Sequence, residues 1–163
     1  MTLILATFRV TTPMFSAGAE PARAELRAPS FKGVLRFWWR ACAWSHFSGD
    51  LAGIREEEER VFGGPETGQS RVAIRLYPVE PVRKLAPREV LTDAVGRTAG
   101  VGARYLGYGV LHTAGSVKKG VREAELIRGC LAPPIEVTVE LRLRKLSETQ
   151  RGLLIEAERA LGT

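Results

Sequence analysis

The sequence predicts an α+β fold, because two kinds of hydrophobic periodicity alternate along the chain. The stretches that alternate apolar and polar residues, as a β-strand does, are residues 3–11, 71–78 and 135–144. The stretches whose apolar residues recur every three or four positions, as in an amphipathic helix, are residues 31–47, 51–62 and 148–161. A chain of 163 residues is long enough to bury the core of one such domain.

The first strand is followed by a long loop. One side of the strand carries Ile4, Ala6, Phe8 and Val10, and the other side begins with Leu3 and Leu5. We therefore expect much of both faces to be buried. Three prolines and a glycine exclude a continuous helix or strand over residues 12–29. Arg23 and Arg27 of this loop can close over an anionic strand, although two arginines in a polar loop are more often solvated.

The first helix is predicted to begin after Ser30, whose hydroxyl suits an N-cap. Lys32 and Gly33 follow at once, so the start of the helix offers free amides, a full positive charge and space for a close approach. Lys32, Arg36 and Arg40 then recur every four residues and form one basic stripe, which can follow an anionic backbone. The adjoining apolar face is predicted to hold Val34, Leu35, Trp38, Ala41 and Cys42.

Four aromatic residues make this helix unusual: Phe37, Trp38, Trp39 and Trp44. One helix face cannot bury them all. Trp38 is assigned to the core. Trp39 or Phe37 can stack on a nucleic-acid base, with packing in the core or against another subunit as the alternative.

The second helix is predicted to start at an Asp50 cap and to end at Gly63, Gly64 and Pro65. Its carboxylate run, Glu56–Glu59, points around the whole helix and is interpreted as a solvated face. Acid-base or metal chemistry is the alternative for these carboxylates.

The region after the second strand, residues 79–134, is rich in proline and glycine and is interpreted as an insertion carrying a hairpin over residues 104–112. Within that hairpin, Tyr105 and Tyr108 stand among glycines and can stack bases, or fill a small core. The basic loop of Lys118, Lys119 and Arg122 suits a phosphate contact and equally a disordered tip.

The last strand, residues 135–144, has the clearest alternation and predicts one wet face. A capping box at Ser147 and Gln150 then starts the final helix, whose core positions are Leu153, Leu154, Ala157 and Leu161.

Composition favours a polyanionic partner. Lys and Arg number 24 against 18 Asp and Glu, a net charge of +6. The two cysteines, Cys42 and Cys130, lack metal-site or disulfide spacing, which favours a reducing compartment. The opening residues 1–10 are too short and too interrupted for a signal peptide or a membrane span. No cofactor or metal site is predicted.

Several motifs together resemble a known family. TTPMF, AELR, SFKGVLRFWWR, VFGG and RYLGYG are similar to the amino-terminal half of the head subunit of the type III-B CRISPR (Cmr) effector complex, a member of the RAMP superfamily. The resemblance implies a ferredoxin-like (RRM-like) domain that binds RNA in a cytoplasmic antiviral ribonucleoprotein, with guide RNA, target RNA and other effector subunits as partners. A ferredoxin-like unit needs one further strand, which the order of elements does not supply. We therefore expect a partner chain to provide that strand, or the sheet to close differently.

Three functional hypotheses follow. The preferred one is a noncatalytic RNA-binding subunit that uses Arg23, Arg27, Lys32, Arg36 and Arg40. The second is a RAMP-type endoribonuclease that processes precursor guide RNA with His46 or His112 as general acid or base. The third is a structural assembly subunit that docks other proteins through the tryptophan-rich helix. RNA binding through backbone phosphates and stacking predicts salt-sensitive affinity and slight sequence selectivity.

Overall fold

Within the residues that the structure describes, a three-stranded sheet is accompanied by three helices and two short strand pairs. The fold was analysed as a computed structural model that describes residues 2–86, 111–112, 125–126 and 128–162. In chain order the elements are β1 (Thr2–Val10), α1 (Ala28–His46), α2 (Leu51–Phe62), β2 (Val72–Pro78), β3 (Lys84–Leu85), β4 (Leu111–His112), β5 (Glu125–Leu126), β6 (Cys130–Leu131), β7 (Ile135–Leu143) and α3 (Glu148–Leu161).

The main sheet has the strand order β1-β7-β2. The Arg144 amide donates to the Arg71 carbonyl and the Val79 amide to the Glu136 carbonyl, each at 2.9 Å, so β2 and β7 run antiparallel. The predicted alternation is confirmed in all three strands. Only the expected burial of both faces of β1 is wrong, because Leu3 and Leu5 are exposed.

The described residues divide into two units. The first holds those within residues 1–8, 28–77 and 137–163, and the second those within residues 9–27 and 78–136. In the first unit α1 packs against α2 and α3, and the Phe31 ring lies 5.7 Å from the Phe8 ring of β1. The buried side chains that line this core come from every element of the unit except β1, and include Leu35, Trp39, Ile54, Val61, Val72, Val139, Leu141 and Leu154.

The first helix begins earlier than predicted. It starts at Ala28, so Ser30 lies inside the first turn and is exposed rather than serving as the N-cap. Pro29 is compatible with this start, because its fixed φ and missing amide hydrogen are tolerated in the first turn of a helix. Lys32 and Gly33 consequently lie beyond the first turn, away from the free amides that were expected to hold a phosphate.

The buried face of α1 is also displaced from the predicted one. Its buried residues are Leu35, Trp39 and Ala43, while Val34 is exposed and Trp38 is only half-buried. The prediction placed the basic stripe in solvent. Because α2 packs against α1, that stripe instead faces a neighbouring helix.

The predicted ends of the other helices are confirmed. The Ala52 amide donates to the Asp50 carboxylate at 3.1 Å, and Gly63 ends α2 at a φ of 86° that suits glycine. In α3 the Gln150 amide donates to the Ser147 hydroxyl at 3.2 Å, and the Ser147 amide donates to the Gln150 side chain at 2.9 Å. Within Glu56–Glu59, which was interpreted as mostly a solvated face, Glu58 is the exception, because it is buried.

The second unit holds the long loop and the short strands. Met14 and Leu131 exchange backbone hydrogen bonds of 2.9 and 3.1 Å, and β3 pairs antiparallel with β6. β4 pairs antiparallel with β5, so residues 111–112 face residues 125–126. Most of the hairpin predicted at residues 104–112 lies outside the described residues. No helix in the described part of the chain is long and apolar enough to cross a membrane.

Candidate nucleic-acid interface

The basic stripe of α1 lies against α2. The Lys32 ammonium donates to the Phe62 carbonyl at 3.0 Å. One turn further on, the Arg36 Nε donates to the Glu58 Oε1 at 2.7 Å, and one more turn on, an Arg40 terminal nitrogen donates to the same oxygen, also at 2.7 Å. Three cations at four-residue spacing thus meet one carboxylate and one helix end.

Glu58 joins two arginines that are not themselves buried. Its side chain is 8% exposed, whereas those of Arg36 and Arg40 are 37% and 46% exposed. Two guanidinium groups against one carboxylate leave one positive charge. Each guanidinium has five N–H donors and gives one to Glu58, so donors remain for an anion at the surface. We refer to Arg36, Arg40 and Glu58 as the arginine–glutamate triad.

Aromatic contacts restrict the position of Arg36. Its guanidinium carbon lies 5.7 Å from the centre of the Phe62 ring, within the range of a cation–π contact. The Phe62 ring in turn meets the Trp39 ring edge-on, at 5.9 Å and 82°. The buried core therefore supports one arm of the triad.

An open groove of about 510 Å³ runs beside the triad. Its lining residues come from α1 and α2 and are Arg36, Arg40, Leu51, Ile54, Arg55, Glu58 and Glu59. Arg55 lies 3.6 Å from Glu59 and is mostly exposed. Three arginines against two glutamates give the groove a net positive charge, and Leu51 and Ile54 supply an apolar wall. This combination suits an anion that also has an apolar part, such as a nucleotide.

Lys32 has a structural role that is separate from the RNA contact predicted for it. Burial lowers the pKa of its ammonium group below 10.5, and the positive charge of Arg36 lowers it further. Its hydrogen bond satisfies one of the last carbonyls of α2. The positive charge of Lys32 also stabilises the negative end of the α2 helix dipole. A loss of RNA binding on replacing Lys32 would therefore be mixed with a loss of stability.

Lys32→Met is expected to destabilise the protein by about 1 kcal/mol near neutral pH, through loss of the hydrogen bond to Phe62. The pKa of Lys32 is lower in the folded protein than in the unfolded chain, so just below pH 10.5 the unfolded chain binds more protons at this residue. The contribution of Lys32 to stability therefore rises with pH. The difference in the free energy of unfolding between wild type and the variant, measured with urea, should increase between about pH 8 and about pH 10. The exposed Lys84→Met serves as control. A constant deficit would contradict this account of Lys32.

Gly33→Ala is expected to stabilise the protein by about 0.5–1 kcal/mol, because alanine favours a helix interior over glycine. A Cβ atom at Gly33 would meet nothing within 4 Å, and the same holds at Gly152 in α3. Gly152→Ala is therefore a matched control that should raise the melting temperature similarly. Destabilisation by Gly33→Ala alone would show that a neighbour occupies the space.

The aromatic residues of α1 divide differently from the prediction. Trp39 is fully buried, so the hypothesis that it stacks on a base is wrong, and Trp39 takes the core position that was assigned to Trp38. Phe37 and Trp44 are 58% and 54% exposed. Phe37 stays a candidate for stacking, and Trp44 joins it.

The two loop arginines differ in the second unit. The Arg27 guanidinium donates to the Ala17 carbonyl at 2.8 Å and closes the loop upon itself. Arg23 is exposed, and no described residue holds its side chain. Of the predicted pair, Arg23 is the more available to a ligand. Tyr105, Tyr108, Lys118 and Lys119 lie outside the described residues.

The ribonuclease hypothesis requires catalytic side chains that lie close together, and the described part of the chain shows no such group around His46. The His46 Nε2 lies 3.3 Å from the Glu156 carboxylate, with both side chains exposed. Of His112 only the backbone is described. Among residues 2–86, 128–162 and the two short pairs between them, no three His, Cys, Asp or Glu side chains cluster as a metal ion requires.

Glu58 is the residue of the candidate interface that the sequence analysis missed. Within Glu56–Glu59 it alone lies four residues after Ile54 and four before Phe62, on the apolar stripe of α2. A carboxylate on an apolar stripe needs a cationic partner. That spacing, set beside the arginines of α1, was a signal in the sequence.

Comparison with known proteins gives the family of the chain. A model of the RAMP superfamily matches residues 7–161. The chain belongs to the RAMP superfamily. The family expected from SFKGVLRFWWR and its companion motifs is thus confirmed.

Two curated RAMP relatives come from Pyrococcus furiosus. The chain is 40% identical over 73 residues to the CRISPR system Cmr subunit Cmr1-2, covering 45% of this chain and 38% of that protein. It is 39% identical over 72 residues to Cmr1-1, covering 44% of this chain and 21% of that protein. The matches thus span well under half of either relative.

One solved structure resembles the whole RAMP chain. The crystal structure of Cmr1 from Pyrococcus furiosus in its apo form covers 99% of this chain and 44% of its own, with a TM-score of 0.61 and 24% identity. At that identity the likeness concerns the fold, a mixed α/β architecture with antiparallel strand pairs.

Proposed function

We propose that this RAMP chain is a noncatalytic, RNA-binding part of a subunit of a type III-B Cmr complex, acting in CRISPR antiviral defence. Other Cmr subunits, guide RNA and target RNA would be its partners. Membership of the RAMP superfamily and the similarity to two Cmr subunits support this assignment.

The arginine–glutamate triad carries the proposal. In it two half-exposed guanidinium groups are fixed by one buried carboxylate oxygen, at the edge of a positively charged groove. Guanidinium groups fixed in place lose less conformational entropy when they bind a phosphate. An RNA backbone laid along α1 would contact Arg36 and Arg40, and Arg55 from the other side of the groove. The proposal also keeps the loop residue Arg23 and the undescribed Tyr105, Tyr108, Lys118 and Lys119 as RNA contacts.

The finer fold assignment belongs to the same proposal. The order β1-β7-β2, with helices between the first two strands and after the last, supports a ferredoxin-like unit. Within the described residues β1 pairs with β7 and leaves its other edge open. A further strand would bind at that edge.

The test is the binding of a labelled single-stranded RNA to wild type and to Arg36→Gln/Arg40→Gln/Glu58→Gln. Three glutamines remove the charges together and can still hydrogen-bond to one another, so no buried carboxylate is left unpaired. The variant loses two positive charges and one negative charge, a net change of one. We expect its affinity to fall about 10-fold or more at moderate salt.

Arg159→Gln is the matched control, because it also changes the net charge by one and removes an exposed arginine on a different helix. It should bind RNA like wild type. If both variants lost RNA affinity equally, the loss would come from the overall charge of the protein, which would contradict a binding site at the triad. A denaturing gel of the bound RNA should show intact strands; discrete cleavage that disappears in His112→Ala would establish the nuclease instead.

A further inference from the structure

We propose that the solvent-facing side of α1 is a stacking platform on which two bases of a single-stranded RNA rest, one on Phe37 and one on Trp44. This inference rests on the proposed function. It adds residues that contact the bases of the RNA, whereas the triad contacts its phosphates. We call Gly33, Phe37, Ala41 and Trp44 the outer stripe of α1.

Helical geometry brings the outer stripe together. Its members follow one another at intervals of four, four and three residues, which places them on one face. All four are exposed, and the two rings are among the most exposed large apolar side chains of the described residues. Trp44 follows Phe37 by seven positions, so the two residues lie about 10 Å apart along the helix axis. That distance lets one flexible RNA strand reach both rings.

Each ring has a neighbour within the first unit that restricts its motion. The Phe37 ring meets the half-buried Trp38 ring edge-on, with centres 5.7 Å apart. The Trp44 indole lies close to Gly49, in the turn that follows the helix. A Cβ atom added at Gly49 would be 3.2 Å from the indole Cζ2 atom. An exposed ring that is already fixed loses little entropy when a base stacks on it.

Small residues leave room between the rings. Gly33 lies one turn before Phe37, and a Cβ atom added there would have no neighbour within 4 Å, while Ala41 stands between Phe37 and Trp44. A ribose or base can therefore approach the helix beside each ring. Large side chains at these two positions would fill that space.

The charge of α1 favours RNA over a protein partner. Across its 19 residues the helix carries Lys32, Arg36, Arg40 and His46 and no acidic residue. Arg40 precedes the Ala41 position of the outer stripe and presents a side chain that is 46% exposed. Aromatic rings interleaved with cations are typical of surfaces that bind single-stranded nucleic acid. Two arginines against the single Glu58 carboxylate still leave a positive charge beside the rings.

The experiment measures binding of oligouridylate to wild type and to Phe37→Ala/Trp44→Ala over a range of salt concentrations. Stacking contributes to affinity without releasing counterions. The variant should therefore bind about 10- to 100-fold more weakly, with an unchanged slope of log affinity against log salt. A strand of the same length that lacks bases should bind both proteins equally weakly. Val34→Ala, at an exposed aliphatic position of the same helix, is the control and should bind like wild type.

A second readout follows the rings directly. RNA should quench part of the tryptophan fluorescence of wild type, and this quenching should be absent in Trp44→Phe, which keeps the two less exposed tryptophans. Gly33→Leu should weaken binding several-fold, whereas Gly152→Leu should not, because only the former places a large side chain in the outer stripe.

The outcomes separate this inference from the proposed function. Salt-dependent RNA binding that is lost in the triad variant but unchanged in Phe37→Ala/Trp44→Ala would overturn the stacking platform alone. Intact RNA binding with loss of association to other Cmr subunits in the aromatic variant would assign the stripe to a protein partner and also overturn it. A wild type that binds no RNA at any salt concentration would overturn both proposals.

Discussion

Trp39→Ala is expected to lower the free energy of unfolding by about 4 kcal/mol, the largest effect of any single replacement considered for this chain. The indole is fully buried and packs edge-on against Phe62, whose ring also carries the Arg36 guanidinium. Truncation would leave a large cavity between α1 and α2 that the surrounding helices can fill only in part. Urea denaturation followed by circular dichroism measures the loss.

Trp39→Phe separates packing from hydrogen bonding at the same position. The Trp39 ring nitrogen is buried and has no hydrogen-bond partner among the described residues, so phenylalanine removes an unpaired donor while keeping most of the apolar surface. We expect a cost of about 1–2 kcal/mol. A phenylalanine variant as unstable as the alanine variant would show that the indole nitrogen has a partner after all.

Arg36→Met/Arg40→Met is expected to destabilise the protein by about 3 kcal/mol. Methionine keeps the length and apolar character of each side chain but leaves Glu58 without its two donors. A buried carboxylate that has lost its partners carries its full desolvation cost. The same unfolding measurement, made on wild type and on the double variant, gives this difference.

Adding Glu58→Met to the double variant is the decisive control. Replacing a whole buried ion cluster with apolar residues of similar size is often nearly neutral, so the triple variant should recover most of the lost stability. Its RNA affinity should nevertheless stay low, because the guanidinium groups are gone. Failure to recover stability would mean that the arginines support α1 and α2 through contacts other than Glu58.

The sequence was sufficient for the three long strands, for both ends of α2 and for the start of α3. Period-two alternation in residues 135–144 and the Ser147–Gln150 capping box depend on local geometry alone, and both are confirmed. The start of α1 was missed because Pro29 suits a first turn as well as the residue before a cap, so that local signal did not distinguish Ala28 from Ser30.

The faces of α1 required knowledge of its neighbours. A pattern on one helix shows that Lys32, Arg36 and Arg40 share a side, but the packing of α2 decides whether that side meets water. With α2 packed beside the basic stripe, the buried face is centred on Trp39, and the aromatic residues left outside are Phe37 and Trp44. The spacing of Glu58 from Ile54 and Phe62 would have indicated this pairing.

The most direct test of RNA binding at the triad is the salt dependence of affinity for single-stranded RNA. Each phosphate contact adds about 0.7 to the slope of log affinity against log salt for a single strand. Wild type should therefore have a slope steeper by roughly 1.4 than Arg36→Gln/Arg40→Gln/Glu58→Gln, while Arg159→Gln should match wild type. Parallel lines for wild type and the triad variant would contradict the account, because they would mean that Arg36 and Arg40 hold no phosphate.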